Sequence, residues 1–350
     1  MEEVVKTRNS IIAVLASAAL VAAGCGGASD EKSGDAAASG GSGDKATLSL
    51  VAYSTPQVVY DEIIPEFDRT PEGEGVAFKS SYGGSGDQAR AVIAGQAADV
   101  VAFALQPDME KLVDEGLVAD DWDQTDTNGL ISKSVVVFVV RKGNPEGIKS
   151  WDDLLKAGTE VITPNPFSSG GAKWNLMAAY GAASQGGKDP EAGLAYLREL
   201  ITEHVKVQDK SARESLQNFL SGNGDVALSY ENEAVTAQKK GEDIDYVVPD
   251  DTIQIENPVA VTTGSKAPDA ANAFLKFALS DEGQQKFADW GYIPVNEAVL
   301  AANKDKFPKP PGLFTIDDLG GWDTVNDEFF DVENGSVAKI EEEAGVSTAK

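Results

Sequence analysis

The sequence predicts an α/β protein with a mostly parallel sheet, because short apolar strands alternate along it with amphipathic helices. Residues 47–53 (TLSLVAY) form the first strand-like run, and residues 58–67 follow with apolar side chains at helical spacing. Residues 99–104 (DVVAFA) and 134–140 (SVVVFVV) have the length and composition of buried strands. With 350 residues, the chain is long enough for two packed domains.

The other elements follow the same patterns in order along the chain. Further strands are predicted at residues 76–80, 160–163, 226–230, 244–248 and 258–262. Further helices are predicted at residues 87–94, 107–115, 151–155, 172–180, 190–203, 212–220, 268–279 and 281–290. The acidic run at residues 231–233 directly follows a strand and is predicted to be a turn.

The N-terminal segment is predicted to be a signal peptide covering residues 1–25. Its apolar run, residues 11–23, is too short to span a bilayer comfortably and ends in small residues before Cys25. This ending resembles the lipobox of bacterial lipoproteins, in which the cysteine becomes the lipidated first residue; a plain secretory signal is the alternative. Residues 26–45 have no large apolar side chain and predict a flexible tether.

Composition excludes several classes of function. The net charge of -28 argues against a nucleic-acid partner and against electrostatic attachment to an acidic membrane. Cys25 is the one cysteine, so neither an intramolecular disulfide nor a cysteine metal cluster can form. His204 is the one histidine and lies in a polar stretch where we expect surface exposure, which argues against a Ser-His-Asp hydrolase.

Residues 163–175 (TPNPFSSGGAKWN) carry the strongest functional signal. Two prolines end the preceding strand, and two serines and two glycines then form a loop with little side chain before a helix begins. The unpaired N–H groups of a helix N-terminus, approached over a bare loop, are suited to a small oxyanion. The alternative is that Ser169 merely caps the helix.

Two other helices begin in the same way. Residues 81–86 (SYGGSG) and residues 211–214 (SARE) are further small or polar stretches that open helices. Three such openings in one chain predict several helix dipoles converging on one ligand.

A family resemblance extends over residues 46–340. It is carried by six stretches that occur in the same order as in the family: YGGSGDQARAVIAGQAADVV, SVVVFVVRKGNP, WDDLLKAGTEVITPNPFSSGGAKWN, SARES, YENEA and FPKPPGLFTIDDLGGW. In these stretches the chain resembles the sulfate-binding proteins of bacterial ABC importers. The resemblance implies the type II periplasmic-binding-protein fold, in which two α/β lobes joined by two crossing strands hold a ligand between them. It puts residues 46–134 and 260–350 in one lobe and residues 135–259 in the other, with crossings near 134–140 and 258–262.

The resemblance also implies how the ion is held. The family binds a dehydrated dianion with backbone N–H groups, a hydroxyl and an indole N–H, and no charged side chain touches it. Carried over by motif, the backbone donors are Ser54, Ser85, Gly170, Gly171 and Ala212, the hydroxyl donor is Ser169, and the aromatic donor is Tyr230. Because sulfate has no proton at neutral pH, a site made only of donors fits it and excludes ligands that need an acceptor.

Three positions depart from the family pattern. Tyr230 stands where Trp is frequent, although a phenol can still donate one hydrogen bond. Ser54 stands where Asp is frequent, a mild change if only the backbone N–H is used. Asp87 stands where Lys is expected and puts a carboxylate in the first turn of a helix. It either compensates the helix dipole or accepts a proton from an oxyanion such as phosphate, which would shift specificity.

Two charged residues adjoin the implied donors in sequence. Arg213 follows Ala212 and Glu231 follows Tyr230, so we expect both to lie behind the site and to fix the peptides that carry the donors. The alternative is a solvated pair on the surface.

Together these features predict an extracytoplasmic receptor that is not an enzyme and that captures sulfate, or thiosulfate, for an ABC permease. Its partners are the permease membrane subunits with their ATPase, and the membrane through a lipid anchor on Cys25. We expect a monomer without a cofactor or metal. The alternatives are a receptor for phosphate or molybdate, a secreted hydrolase using Ser169 or Ser85, and an adhesion lipoprotein without a tightly bound small ligand.

Overall fold

The structure, a computed structural model, describes residues 46–348; the predicted signal peptide, the tether and Cys25 lie outside this range. The strands in it are β1 Thr47–Tyr53, β2 Ala77–Gly83, β3 Val100–Ala102, β4 Leu130–Arg141, β5 Val161–Ile162, β6 Val205–Val207, β7 Val226–Tyr230, β8 Ile244–Val247, β9 Asp251–Val261, β10 Ile293–Pro294 and β11 Gly312–Phe314. The helices are α1 Gln57–Phe67, α2 Ser85–Ile93, α3 Gln106–Asp114, α4 Trp151–Leu154, α5 Gly170–Ala183, α6 Pro190–Glu199, α7 Ala212–Leu220, α8 Glu231–Lys239, α9 Pro268–Ala278, α10 Asp281–Asp289, α11 Glu297–Ala302, α12 Gly321–Val325 and α13 Ser336–Glu343.

The strands form one mixed sheet in the order β2-β1-β3-β9-β4-β7-β5-β6, with β8 and β10 paired to β4 and β11 paired to β9. The pairs of β1 with β2 and β3, and of β5 with β6 and β7, are parallel, as expected where helices connect the strands. The mostly parallel arrangement predicted from the first strands and helices holds for β2-β1-β3. The sheet as a whole is mixed, because β4 and β9 run antiparallel to each other and to their other main neighbours.

Two long strands cross between the two ends of the sheet. The first part of β4 pairs with β9, as in Ser134↔Ile255, and its second part pairs with β7, as in Val136↔Tyr230. The last residues of β9 pair with β3. β4 and β9 thus join a part built on β1, β2 and β3, the β1–β3 half, to a part built on β5, β6 and β7, the β5–β7 half. The prediction of two crossing strands is confirmed.

The β1–β3 half buries β1 on both faces. Leu48 and Leu50 pack on one face in a core with Phe274 and Phe287, while Val51 lies in a separate core on the opposite face. Successive strand side chains point to opposite faces, so a strand covered on both sides reads as one continuous apolar run. This is why the sequence marks β1 so clearly.

The β5–β7 half is organised around α5, which is buried on almost all sides. Trp174 and Met177 of this helix pack in one core with Trp151 and with the C-terminal residues Trp322 and Val325. The rings of Trp174 and Trp322 meet edge to face with centroids 4.7 Å apart. The assignment of residues 260–350 to the first lobe stays a prediction. Trp322 and Val325 belong to this range, yet they pack against α5 of the β5–β7 half.

Three local predictions differ from the structure. Residues 231–233 begin α8 instead of forming a turn; their side chains are buried, and the carboxylates of Glu231 and Glu233 are paired within the fold. Strand β9 starts at Asp251, before the predicted residues 258–262, and its polar first part is covered by β4 and β11. His204 is buried, with Nδ1 3.0 Å from the Thr159 carbonyl oxygen, so the expected surface position is wrong.

Candidate functional site

One small cavity lies where the carboxyl ends of the strands meet the first turns of three helices. It is lined by Tyr53, Ser54, Thr55, Gly83, Gly84, Ser85, Ala104, Ser169, Gly171, Ala212 and Tyr230. The helices are α2, α5 and α7, the three whose openings the sequence singled out. The cavity therefore brings together residues from both halves of the sheet.

Six of the seven ligand residues predicted from the sequence line this cavity: Ser54, Ser85, Ser169, Gly171, Ala212 and Tyr230. Gly170 does not line it. Gly170 is the first residue of α5, where a Cβ would lie 2.2 Å from Cδ2 of Leu105. Its missing side chain allows α5 to approach the segment that follows β3.

Backbone N–H groups at the cavity are free to donate. Within residues 46–348, the N–H groups of Ser54, Ser85, Gly171 and Ala212 meet no backbone or side-chain acceptor. Three of these residues lie in the first turn of a helix, where the geometry of the helix leaves N–H groups without partners. The cavity thus collects unsatisfied donors at the positive ends of three helix dipoles.

The serine hydroxyls at the cavity differ from ordinary helix caps. Ser169 is the N-cap residue of α5, yet its side chain accepts no hydrogen bond from the helix. At α7, by contrast, Oγ of Ser211 accepts the N–H of Glu214 over 3.2 Å. Oγ of Ser85 accepts the N–H of Ala104 over 2.9 Å, which leaves the proton of that hydroxyl available to the cavity. The placement of Ser169 therefore favours the anion-site interpretation over the capping alternative.

The first turns of α5 and α7 lie close to Tyr230. A Cβ at Gly171 would be 3.3 Å from Cβ of Ala212 and 3.6 Å from ring carbon Cε1 of Tyr230. Tyr230 is buried, and its hydroxyl has no hydrogen-bond partner in the described part of the chain. Burial raises the pKa of Tyr230 well above its ordinary value, so the phenol keeps its proton as a donor.

The two halves approach each other closely around the cavity. A Cβ at Gly84, before α2, would lie 2.7 Å from the carbonyl oxygen of Ser168 and 3.0 Å from that of Lys210. Nε1 of Trp174 donates a 2.7 Å hydrogen bond to the carbonyl oxygen of Ala104. These contacts join loops and helix α5 of the β5–β7 half to the residues that follow β2 and β3 in the β1–β3 half.

Arg213 lies behind the cavity, and it does not form the surface pair with Glu231 that was the alternative. Its guanidinium pairs with the buried carboxylate of Glu233, with both N–O distances 3.0 Å. Burial lowers the pKa of Arg213, but the charge and hydrogen bonds of Glu233 outweigh this and raise it overall. Glu231 instead accepts a long, 3.4 Å hydrogen bond from the Tyr246 hydroxyl, and burial raises its pKa to about 7.

Asp87 lies in the first turn of α2 but does not line the cavity. Its carboxylate pairs with Arg90, and 47% of its side chain is exposed. Among the residues that the structure describes, no cationic or carboxylate side chain lines the cavity. The lining therefore offers neutral donors, and the position of Asp87 favours dipole compensation.

Sequence reasoning missed five of the lining residues: Tyr53, Thr55, Gly83, Gly84 and Ala104. The double glycine before α2 was a usable signal, because two adjacent glycines permit a close approach of backbone to backbone. Tyr53 and Ala104 carry no local signal, since each is simply the apolar end of a strand segment. Their role depends on what the other half places opposite them.

No helix within residues 46–348 is long and apolar enough to cross a membrane. Over the same range, no group of three or more His, Cys, Asp and Glu side chains is arranged to hold a metal ion.

A family model described as bacterial extracellular solute-binding protein matches residues 48–293. The chain belongs to this family. The extracytoplasmic location predicted from the N-terminal segment agrees with that description.

The known relatives of this solute-binding protein agree with the motif resemblance. It is 42% identical to the sulfate-binding protein of Synechococcus elongatus, over 93% of this chain and 94% of that protein. It is 35% identical to the thiosulfate-binding protein of Pseudomonas aeruginosa, over 80% of this chain and 88% of that protein. The solved structure of the sulfate-binding protein SubI from Mycobacterium tuberculosis is 46% identical, with a TM-score of 0.80, and covers 82% of this chain and 100% of that one. The predicted family and periplasmic-binding-protein fold are confirmed.

Proposed function

We propose that this solute-binding protein captures sulfate, or the related dianion thiosulfate, in the cavity between its two halves. One observation carries the proposal: the cavity is lined by unpaired N–H and O–H donors and by no charged side chain of the described residues. An ion with no proton only accepts hydrogen bonds, so it satisfies every donor of such a site. The names of the relatives, which include sulfate-binding and thiosulfate-binding proteins, support the same ligand class.

Neutral donors can hold a dianion tightly enough to replace its water. Each hydrogen bond to a charged partner contributes roughly 1.5 to 3 kcal/mol net. Each helix terminus adds about 0.3 to 1 kcal/mol, and more when it is partly buried. Summed over the donors of three helix openings, these terms offset the large cost of dehydrating the ion. The net charge of -28 does not prevent this binding, because the field of exposed charges is screened beyond about 8 Å at physiological salt.

Calorimetric titration of the purified protein with sulfate, thiosulfate, phosphate and molybdate, each at pH 6 and pH 8, tests the proposal. We expect tight binding of sulfate or thiosulfate that is the same at both pH values. Tighter binding of phosphate that changes with pH would instead assign the site to a protonated oxyanion. If none of the four ions binds, the protein is not an oxyanion receptor.

We propose that closure of two lobes around the ion is the mechanism, and that the closed form is recognised by an ABC permease with its ATPase. The short contacts at Gly84 and Trp174 support closure, because they require the two halves to be in contact. The boundaries at residues 134–135 and 259–260 are part of this proposal. Small-angle scattering should give a smaller radius of gyration with sulfate than without; equal values would argue against closure.

We further propose that the protein is a monomer held at the membrane by a lipid on Cys25, and that it has no enzymatic activity or cofactor. The small residues before Cys25 support lipidation. Metabolic labelling with an alkyne fatty acid should mark the expressed protein but not a Cys25→Ala variant. Equal labelling of the two would exclude this anchor.

A further inference from the structure

Tyr53, the last residue of β1, is a buried phenol without a partner at the wall of the cavity. It is 3% exposed, and its hydroxyl makes no hydrogen bond within residues 46–348. Two other buried tyrosines of the described residues are satisfied: the hydroxyl of Tyr196 donates to the Trp151 carbonyl oxygen over 2.7 Å, and that of Tyr292 donates to Oγ1 of Thr55. A buried hydroxyl left unpaired is costly, and one that lines a cavity can be paired by an acceptor bound there.

The nearest hydroxyls do not fill this role. Thr55, Ser132 and Tyr292 lie beside the phenol of Tyr53, but none forms a hydrogen bond of normal geometry with it. Tyr292 donates its own proton to Oγ1 of Thr55 over 3.0 Å. Ser132 donates its proton to Oδ1 of Asn257 over 3.1 Å. The proton of Tyr53 therefore stays uncommitted.

Tyr53 faces a second uncommitted phenol from the other half. Tyr230 ends β7 and lines the same cavity, and after burial the nearby phenol of Tyr53 is a further cause that raises the pKa of Tyr230. Burial is the main cause that holds the pKa of both above the ordinary value, so both remain O–H donors. Two donors from opposite halves that lack acceptors at one cavity are best explained by a shared acceptor in that cavity.

We propose that the Tyr53 hydroxyl is a further ligand donor, which binds the oxyanion together with Tyr230 and helps to determine its affinity. The proposal rests on the proposed function, because it requires an anion in the cavity. Tyr53 contributes a phenolic donor from the β1–β3 half. It supplements the backbone N–H groups at Ser54 and Ser85.

The chain offers a matched control in Tyr60. This residue of α1 is also a fully buried phenol without a hydrogen-bond partner in the described range, but it packs in the core with Phe274 and Phe287 and does not line the cavity. Tyr53→Phe and Tyr60→Phe thus remove the same atom from the same kind of surroundings, apart from the cavity. Thermal unfolding without ligand checks that each variant is folded.

Calorimetric titration with sulfate then separates the outcomes. We expect Tyr53→Phe to bind sulfate about 10- to 100-fold more weakly than the parent protein, the loss expected for one hydrogen bond to an ion. Tyr60→Phe should bind as the parent does. If Tyr53→Phe also binds as the parent does, the inference is wrong while the proposed function stands. If the parent binds none of sulfate, thiosulfate, phosphate and molybdate, both are wrong.

Discussion

Arg213 donates a 2.9 Å hydrogen bond to the carbonyl oxygen of Thr55, and this bond links the start of α7 to the end of β1. The same guanidinium is held by Glu233, whose side chain is fully buried, while 19% of the Arg213 side chain is exposed. The surface-pair alternative for Arg213 therefore does not describe this structure. The ion pair supports a contact between the two halves directly beside the cavity.

Arg213→Gln should be strongly destabilising, because it leaves the carboxylate of Glu233 buried without a partner. We expect the free energy of unfolding to fall by about 3 kcal/mol, measured by urea denaturation. Adding Glu233→Gln removes the uncompensated charge, so the double variant should recover more than half of the loss. A double variant no more stable than Arg213→Gln alone would show that the charge is not the cause.

Gly84→Ala should weaken sulfate binding without unfolding the protein. The backbone φ of Gly84 is −60°, which alanine adopts freely, but the new Cβ would lie 2.7 Å from the Ser168 carbonyl oxygen when the halves are in contact. Overpacking of this kind costs about 1 to 3 kcal/mol, so affinity should fall about tenfold or more in a calorimetric titration. Gly264→Ala is the control, because a Cβ there meets open space. Equal affinities of the two variants would contradict the prediction.

Asp87→Asn should leave sulfate affinity within about threefold of the parent, because an exposed ion pair such as that of Asp87 with Arg90 contributes little. Titration with sulfate and phosphate at pH 6 and pH 8 measures this. A variant that loses phosphate binding, or gains sulfate affinity tenfold, would place the carboxylate in contact with the ion.

Glu341 of α13 should make stability depend on pH. It is fully buried, receives a 2.7 Å hydrogen bond from Nε2 of Gln208, and has its pKa raised by burial from 4.5 to about 7. Between these values the folded state holds a proton that the unfolded state has released. The free energy of unfolding therefore falls as pH rises from about 4.5 to about 7, and this contribution is constant above that range.

Glu341→Gln cannot titrate, so its stability should fall less than that of the parent over this pH range. Over this range, the fall in the free energy of unfolding should be larger for the parent than for Glu341→Gln, by roughly 3 kcal/mol at most. Urea denaturation at pH 5 and pH 8 measures it, and Glu231 contributes equally to both proteins. Parallel changes in the two proteins would mean that Glu341 is ionised in the fold at both pH values.

The sequence predicted the elements best where burial is simple. The bounds of β1, β7 and α7 match the predicted residues, because an apolar run or an amphipathic period marks each end. Helix α8 was missed because its acidic start looks solvated. It is buried because Glu233 pairs with Arg213, a contact between residues far apart in the sequence.

The site was predictable wherever a local motif carries the chemistry. Small residues at a helix opening indicate free N–H groups, and this pattern marked the openings that contain Ser85, Ser169 and Ala212. The resemblance to the sulfate-binding family then implied which residues of these openings are the donors. Tyr53 could not be found in this way. Its surroundings are ordinary strand residues, and only the tertiary packing opposite Tyr230 turns its hydroxyl into an unpaired group at the cavity.

The cavity draws its donors from both sides of the molecule, with Ser54 and Ser85 on one side and Gly171 and Ala212 on the other. Neither side alone offers a complete coordination shell for an ion. Pulling the sides apart therefore exposes the ion to water and lowers its affinity at once, with no change in the protonation of any group. Binding and release of the ion would then be the closing and the opening of the same two sides. A transporter that separates the two sides would release the ion at any pH.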